Sequence, residues 1–207
     1  MTPVTATAVA AAIVPRRWPG ETFVCLGSGP SLTQDDVDAC LSRARVIAVK
    51  DAIRLAPWAD VLYGAGADVG NWWAQHGPCL EDFAGLRYTL DPKASRWATV
   101  LRNTGFAGLE TEPSGLRIGK NSGYQAINLA VHLGAARIVL LGYDMEGNNH
   151  FCGPHPDRKA RPNYREFADY FDTLVEPLAA LGIRVINASR ETSIAAFERL
   201  SLEEALA

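Results

Sequence analysis

The chain has 207 residues, 48% of them hydrophobic and 21% charged, with a formal net charge of −3. That length suits one domain of ordinary size, and the apolar share permits a substantial core and excludes global disorder. With no broad basic excess, the balance argues against a nucleic-acid or membrane surface as the main partner.

Met1 to Val14 is rich in Ala, Val and Thr, and Pro15-Arg16-Arg17-Trp18-Pro19 follows. A signal peptide carries its positive charge before the apolar stretch, and a membrane span needs about 20 apolar residues. Residues 1–19 are therefore read as an arm or extra strand. A domain at 20–190 and a partly helical tail at 191–207 follow. The cysteines Cys25, Cys40, Cys79 and Cys152 form no CxxC pair. Reduced thiols in a cytoplasmic protein (the host's cytoplasm, for a phage-encoded chain) explain them best. Cys25, inside an apolar run, reads as a small core residue.

The first expected strand is 21–26, buried on both faces because its residues do not alternate. Thr33 can cap a helix running to about Leu41, with Asp35 and Asp36 suiting the dipole of its first turn. Further strands are expected at 45–49 and 60–63, a short helix at 71–75 and a strand at 86–90. The clearest helix is 122–133, where Gly123, Ile127, Ala130, Val131 and Gly134 share a face and Gly134 stops it. A β-branched strand follows at 137–141. Asn163 can cap the next helix, whose stripe runs Tyr164, Phe167, Ala168, Phe171, Leu174, Val175 and Leu178, and Pro177 should kink or shorten it. A last strand is expected at 183–186, and the tail 192–206 should be helical in part. Apolar strands alternating with helices predict an α/β, Rossmann-like single domain: a mostly parallel sheet with helices on both faces.

Ligands of such sheets bind outside the carboxyl ends of the strands. Those ends carry Gly27-Ser28-Gly29-Pro30-Ser31, then Lys50 and Asp51, then Gly64, Gly66 and Asp68. Later come Gly142, Tyr143 and Asp144, followed by His150 and His155, and finally Asn187, Ser189 and Arg190. Gly27 and Gly29 would let the backbone approach a ligand, and the loop's N–H groups with Ser28 and Ser31 could bind an anion; a plain tight turn is the competing reading. On the first reading, valine at Gly29 blocks a ligand and spares the fold. A dinucleotide fingerprint needs a third glycine where Leu32 stands. Gly119-Lys120 resembles part of a P-loop, but Asn121 replaces the Ser/Thr and Ser114 the first glycine. Ser122 and Gly123 read instead as a helix start able to hold a phosphate or carboxylate, or as a capped core helix.

The stretch "GNNHFCGPHPD" holds His150, Cys152, His155 and Asp157. It admits three readings: a metal site, a general base, or solvated histidines. No regular ligand spacing is present, so no metal is assigned, and imidazole is the natural base near neutral pH. Trp58, Trp72 and Trp73 could stack on a base or sugar, pack in the core, or make a homo-oligomer contact.

Three pieces in order, "LGSGPSL", "GKNSGYQAINLAVHLGAARIVLLGYDM" and a histidine loop, resemble a superfamily over about residues 22 to 190. It includes the Campylobacter-type sialyltransferases, the motility-accessory-factor glycosyltransferases and the archaeal 6-hydroxymethylpterin diphosphokinases. The chain is also similar to small proteins of tailed phages and prophages. The resemblance implies a glycosyltransferase that holds a nucleotide-sugar donor, as substrate and without a cofactor. Ser28 and Gly29 would contact the nucleotide, and Ser122 and Gly123 would lie beside the donor. Asp144 would be the acidic position after the late strand. His155, with His150 as the other choice, would deprotonate an acceptor the sequence does not identify. Lys50-Asp51 stands where the family has an asparagine, and Met145-Glu146-Gly147-Asn148-Asn149 lacks the tyrosines that stabilise the leaving phosphate. Lys50 or Arg158 could substitute for them. Two alternatives stand beside this: Mg-ATP-dependent diphosphate transfer with Asp68 and Asp144 on the magnesium, and a non-catalytic phage accessory or assembly protein. The Ala-rich arm and the tryptophans favour the latter.

Overall fold

The computed structural model of the chain describes residues 12–65, 69–147, 149–154 and 163–207. Asp68, His155, Asp157 and Arg158, together with most of the arm, lie outside them.

Eight strands form the main sheet: β1 (Thr22–Leu26), β2 (Arg45–Val49), β3 (Val61–Tyr63), β4 (Leu86–Thr89), β5 (Thr99–Val100), β6 (Arg137–Leu141), β7 (Arg184–Asn187) and β8 (Glu198–Arg199). Their order is β8-β7-β6-β1-β2-β3-β4-β5. Every adjacent pair is parallel. Among the described residues, five α-helices cover it: α1 (Gln34–Asp38), α2 (Val69–His76), α3 (Ser122–Leu133), α4 (Tyr164–Ala180) and α5 (Leu202–Leu206). The chain is thus an α/β protein of Rossmann-like type.

The period-2 geometry of the strands sends successive apolar side chains to opposite faces. Phe23, Cys25, Ile47, Ile138 and Leu140 meet Tyr124, Ile127, Phe171 and Leu174 of α3 and α4. Val24, Leu26, Val46, Val139 and Leu141 meet Val37, Trp72, Trp73 and Ala205 of α1, α2 and α5. Both faces are therefore cores, and each buried Leu, Ile, Val or Phe contributes about 1.5–3 kcal/mol. Trp72 and Trp73 are buried here, edge to face with ring centroids 5.2 Å apart, so of the readings open to them core packing holds.

Four local features differ from the sequence expectations or sharpen them. Thr33 caps α1 in a capping box with Asp36, but the helix ends at Asp38. The chain there tightens into i→i−3 bonds, with the Cys40 and Leu41 amides donating to Val37 and Asp38. Pro177 does not shorten α4, which continues to Ala180. The carbonyl four residues before it, which loses its usual helical donor, belongs to Thr173, an exposed residue. The tail adds β8 to the sheet as well as a helix. The described part of the arm is a strap: the Val14 amide donates to Pro113 and the Trp18 amide to Leu133, at 2.9 Å each.

One buried histidine makes stability pH-dependent. His132, in the last turn of α3, places Nε2 2.9 Å from the Gly115 carbonyl oxygen. Burial lowers its pKa, outweighing the carbonyl and the nearby Glu110 and Glu112, which raise it. The fold therefore favours neutral imidazole. Its contribution is full above the ordinary value of about 6.5 and is lost as pH falls through the lowered folded value. Urea midpoints should drop between pH 7 and 5 in the parent and drop less in His132→Gln. Equal drops in both proteins would remove His132 from the account.

Candidate functional site

The strand order fixes where a crevice opens. From β1 the chain lays down β2 to β5 on one side, then returns to lay β6 on the other. The connection after β1, carrying α1, covers one face; the connection after β6, carrying α4, covers the opposite face. The carboxyl ends of β1 and β6 are thus a topological switch point, where loops diverge to opposite faces.

The two loops at this point brace each other. The Gly27 amide donates to the Leu141 carbonyl and the Gly29 amide to that of Gly142, both at 2.8 Å. The Ser31 amide donates to Asp144 Oδ2 at 2.8 Å and the Ser31 hydroxyl to Oδ1 at 2.7 Å. The Leu32 amide returns to Gly29 at 3.2 Å. The N–H groups of Gly27, Gly29, Ser31 and Leu32 are therefore spent on the protein, which corrects the expected anion cradle. The glycines serve close packing between loops. A Cβ on Gly27 would lie 2.4 Å from the Gly142 carbonyl oxygen, and one on Gly29 would lie 2.1 Å from Asp144 Oδ1.

Asp144, expected among the catalytic residues, braces the two loops. It is 1% exposed with both oxygens held by Ser31. Burial raises its pKa, Ser31 opposes that, and Glu146 and Glu191 add to it. The loop after β7 completes the brace. Ser189 Oγ accepts from the Tyr143 amide at 2.9 Å, and the Ser193 amide donates to the Asp144 carbonyl at 2.8 Å.

The start of α3 lies on the same rim. Asn121 caps it, accepting from the Tyr124 amide at 2.8 Å, and the Ser122 hydroxyl donates to Ala65, just past β3, at 2.6 Å. Tyr143 donates its hydroxyl to the Gly123 carbonyl at 3.0 Å, and its ring would meet a Cβ on Gly123 at 2.8 Å. Gly123 is thus small because Tyr143 sits against it. The Gly119-Lys120 turn is structural: Tyr124 fills the space beside Gly119, and Lys120 pairs with Glu166.

A short antiparallel hairpin, Asn149–His150 with Gly153–Pro154, is tied to the opening loop. The Phe151 amide donates to the Ser28 carbonyl at 3.1 Å. This brings His150 and Cys152 to Asp51, which lies in the 3₁₀ turn Lys50–Arg54 after β2. Ligand atoms of Asp51, His150 and Cys152 all lie within 4.8 Å of one another. Asp51 is buried and accepts from Trp72 Nε1 at 3.2 Å. Lys50, in left-handed backbone with φ 49°, borders the same rim beside Gly64. The structure therefore gathers Ser28, Lys50, Asp51, Ser122, Gly123 and His150 at the carboxyl rim. Sequence reasoning missed the partnership of Asp51 with His150 and Cys152, because no local spacing signals it.

No known family model matches this chain, and no curated protein does. Among solved structures, a short-chain dehydrogenase from Oenococcus oeni is 11% identical, covering 91% of this chain and 87% of that one, with a TM-score of 0.28. LpqC, a poly(3-hydroxybutyrate) depolymerase from Bordetella parapertussis, is 15% identical, covering 85% and 75%, with a TM-score of 0.21. Scores this low carry no argument about function. Among the described residues, no helix is long and apolar enough to cross a membrane.

Proposed function

We propose that this protein binds a nucleotide sugar in the switch-point crevice and transfers the sugar to an acceptor hydroxyl. The observation that carries the reading is the switch point itself, with the start of α3 and the hairpin drawn to one rim around the ends of β1, β2 and β6. The first-turn amides of α3, at Ser122 and Gly123, suit the donor's phosphate, since a helix N-terminus favours an anion. Lys50 would offset charge on the departing phosphate. In a direct displacement the acceptor oxygen bonds to the anomeric carbon as the carbon–phosphate-oxygen bond breaks. The acceptor proton passes to a histidine of the 147–157 stretch. His155 is the favoured base, as the closer match to the base of the superfamily the sequence resembles, with His150 as the other choice.

Of the competing readings, magnesium-dependent diphosphate transfer loses support because Asp144 has both oxygens on Ser31. The accessory-protein reading loses the surface it would draw from Trp72 and Trp73, which are core residues.

A thermal-shift panel with CMP, UDP, GDP, ADP and ATP, each with and without magnesium, tests this. A ligand at 100 times its dissociation constant stabilises by about 2.7 kcal/mol. Stabilisation by CMP or UDP without magnesium is expected. ATP acting only with magnesium would transfer the case to diphosphate chemistry, and silence throughout would favour a protein without turnover.

A further inference from the structure

We propose that Asp51, His150 and Cys152 form a binding site for a transition-metal ion of the zinc class, which clamps the hairpin to the end of β2 and keeps one coordination position open. This goes beyond the transferase reading and does not depend on it.

The geometry is close to what a metal requires. A tetrahedral centre with bonds of about 2.0–2.3 Å sets its ligand atoms roughly 3.3–3.8 Å apart. The three ligand atoms already lie within 4.8 Å of one another. Cys152 is exposed and His150 half-buried, so small side-chain rotations on the hairpin close the remaining distance. The donor types select the metal. A thiolate, an imidazole and a carboxylate suit a borderline-soft cation, whereas magnesium and calcium take oxygen ligands.

The surroundings separate a fixed pillar from an adjustable arm. Asp51 is buried, and Trp72 Nε1 donates to its Oδ1, which orients the carboxylate. Trp72 is itself held, stacked on His76 with ring centroids 4.7 Å apart. On the arm, His150 is fixed by its pairing with Gly153 and by the neighbouring bond from the Phe151 amide to Ser28. Three protein ligands leave a fourth position for water or a ligand oxygen, the arrangement of metal sites that do chemistry. The bond from the Phe151 amide to the Ser28 carbonyl holds the hairpin that carries His150 and Cys152 against the opening loop. Cys152 also differs from the two buried thiols. Burial pushes Cys25 and Cys40 each up to about 12, which leaves them inert. On binding, the Cys152 thiol gives its proton to solvent as the sulfur–metal bond forms, so affinity falls as pH drops.

The test uses the full chain, stripped with a chelator and titrated with Co²⁺ as a spectroscopic stand-in for Zn²⁺, with no nucleotide present. One equivalent should bind, with a sulfur-to-cobalt charge-transfer band and the intense visible bands of a tetrahedral ion. Cys152→Ser should abolish the charge-transfer band, and His150→Ala and Asp51→Asn should each weaken binding. Trp72→Phe, which removes the supporting hydrogen bond and trims a packed ring, should cost roughly 10–100-fold in affinity. Circular dichroism of each variant confirms that the fold persists. No charge-transfer band in the parent, or a band surviving in Cys152→Ser, overturns the site. The nucleotide panel repeated after chelation reads the transferase proposal separately, so either can fail alone.

Discussion

Gly29→Val is expected to destabilise the protein on the order of 3–5 kcal/mol, more than a surface-loop substitution does. The new Cβ alone would stand 2.1 Å from Asp144 Oδ1 and 2.6 Å from the Gly142 carbonyl oxygen. Neither neighbour can withdraw cheaply, because Asp144 is buried against Ser31 and Gly142 accepts the Gly29 amide. Overpacking of this kind costs about 1–3 kcal/mol. Each buried polar group that loses its partner as the loops part costs about 1–3 kcal/mol more. Urea denaturation at neutral pH reads the loss directly. A valine variant as stable as the parent would show that the loop is free to move and would restore the ligand-cradle reading. The sequence expectation ran the other way, sparing the fold. It failed because two glycines after a strand look alike whether a ligand or a second loop lies against them.

His155→Ala is expected to lower turnover by roughly 10²–10⁴, the range a positioned general base contributes. The readout is nucleotide release from a CMP- or UDP-sugar with an acceptor alcohol, alongside nucleotide binding. Binding should survive, since the base acts on the acceptor and not on the donor. Retention of the Co²⁺ spectrum in this variant would separate it from His150→Ala, which should bind the metal more weakly. Undiminished turnover in His155→Ala would move the role to His150, and undiminished turnover in the double alanine variant would take the base out of this stretch.

Much of the fold was legible because the signals are local. The β-branched runs at 45–49 and 137–141 are strands β2 and β6 with those boundaries, and the apolar face with a terminal glycine at 122–133 is α3. Runs that do not alternate require burial on both faces, and alternating strands and helices then require a mostly parallel sheet. Other features had no local signal. Strand β8 is two residues long and exposed, and it is a strand only because Ile186 and Asn187 offer the backbone partners.

For the site, the sequence by itself determined which residues stand at strand ends, since strand boundaries follow from periodicity. It named Ser28, Lys50, Asp51, Ser122, Gly123, Asp144 and His150, and the structure places all of them at the carboxyl end of the sheet. What each side chain faces was decided by tertiary structure alone. Ser31 and Asp144 could both have faced a ligand, but the order β6-β1 sets their loops side by side, and they satisfy each other. Asp51 carried no mark of partnership with His150 and Cys152, because strand order and the Phe151–Ser28 bond create that proximity, and no spacing along the chain records it. A side chain's secondary structure is set largely within a few turns of its own segment. Its partners are set by which strands lie adjacent, and that is a property of the whole packed sheet.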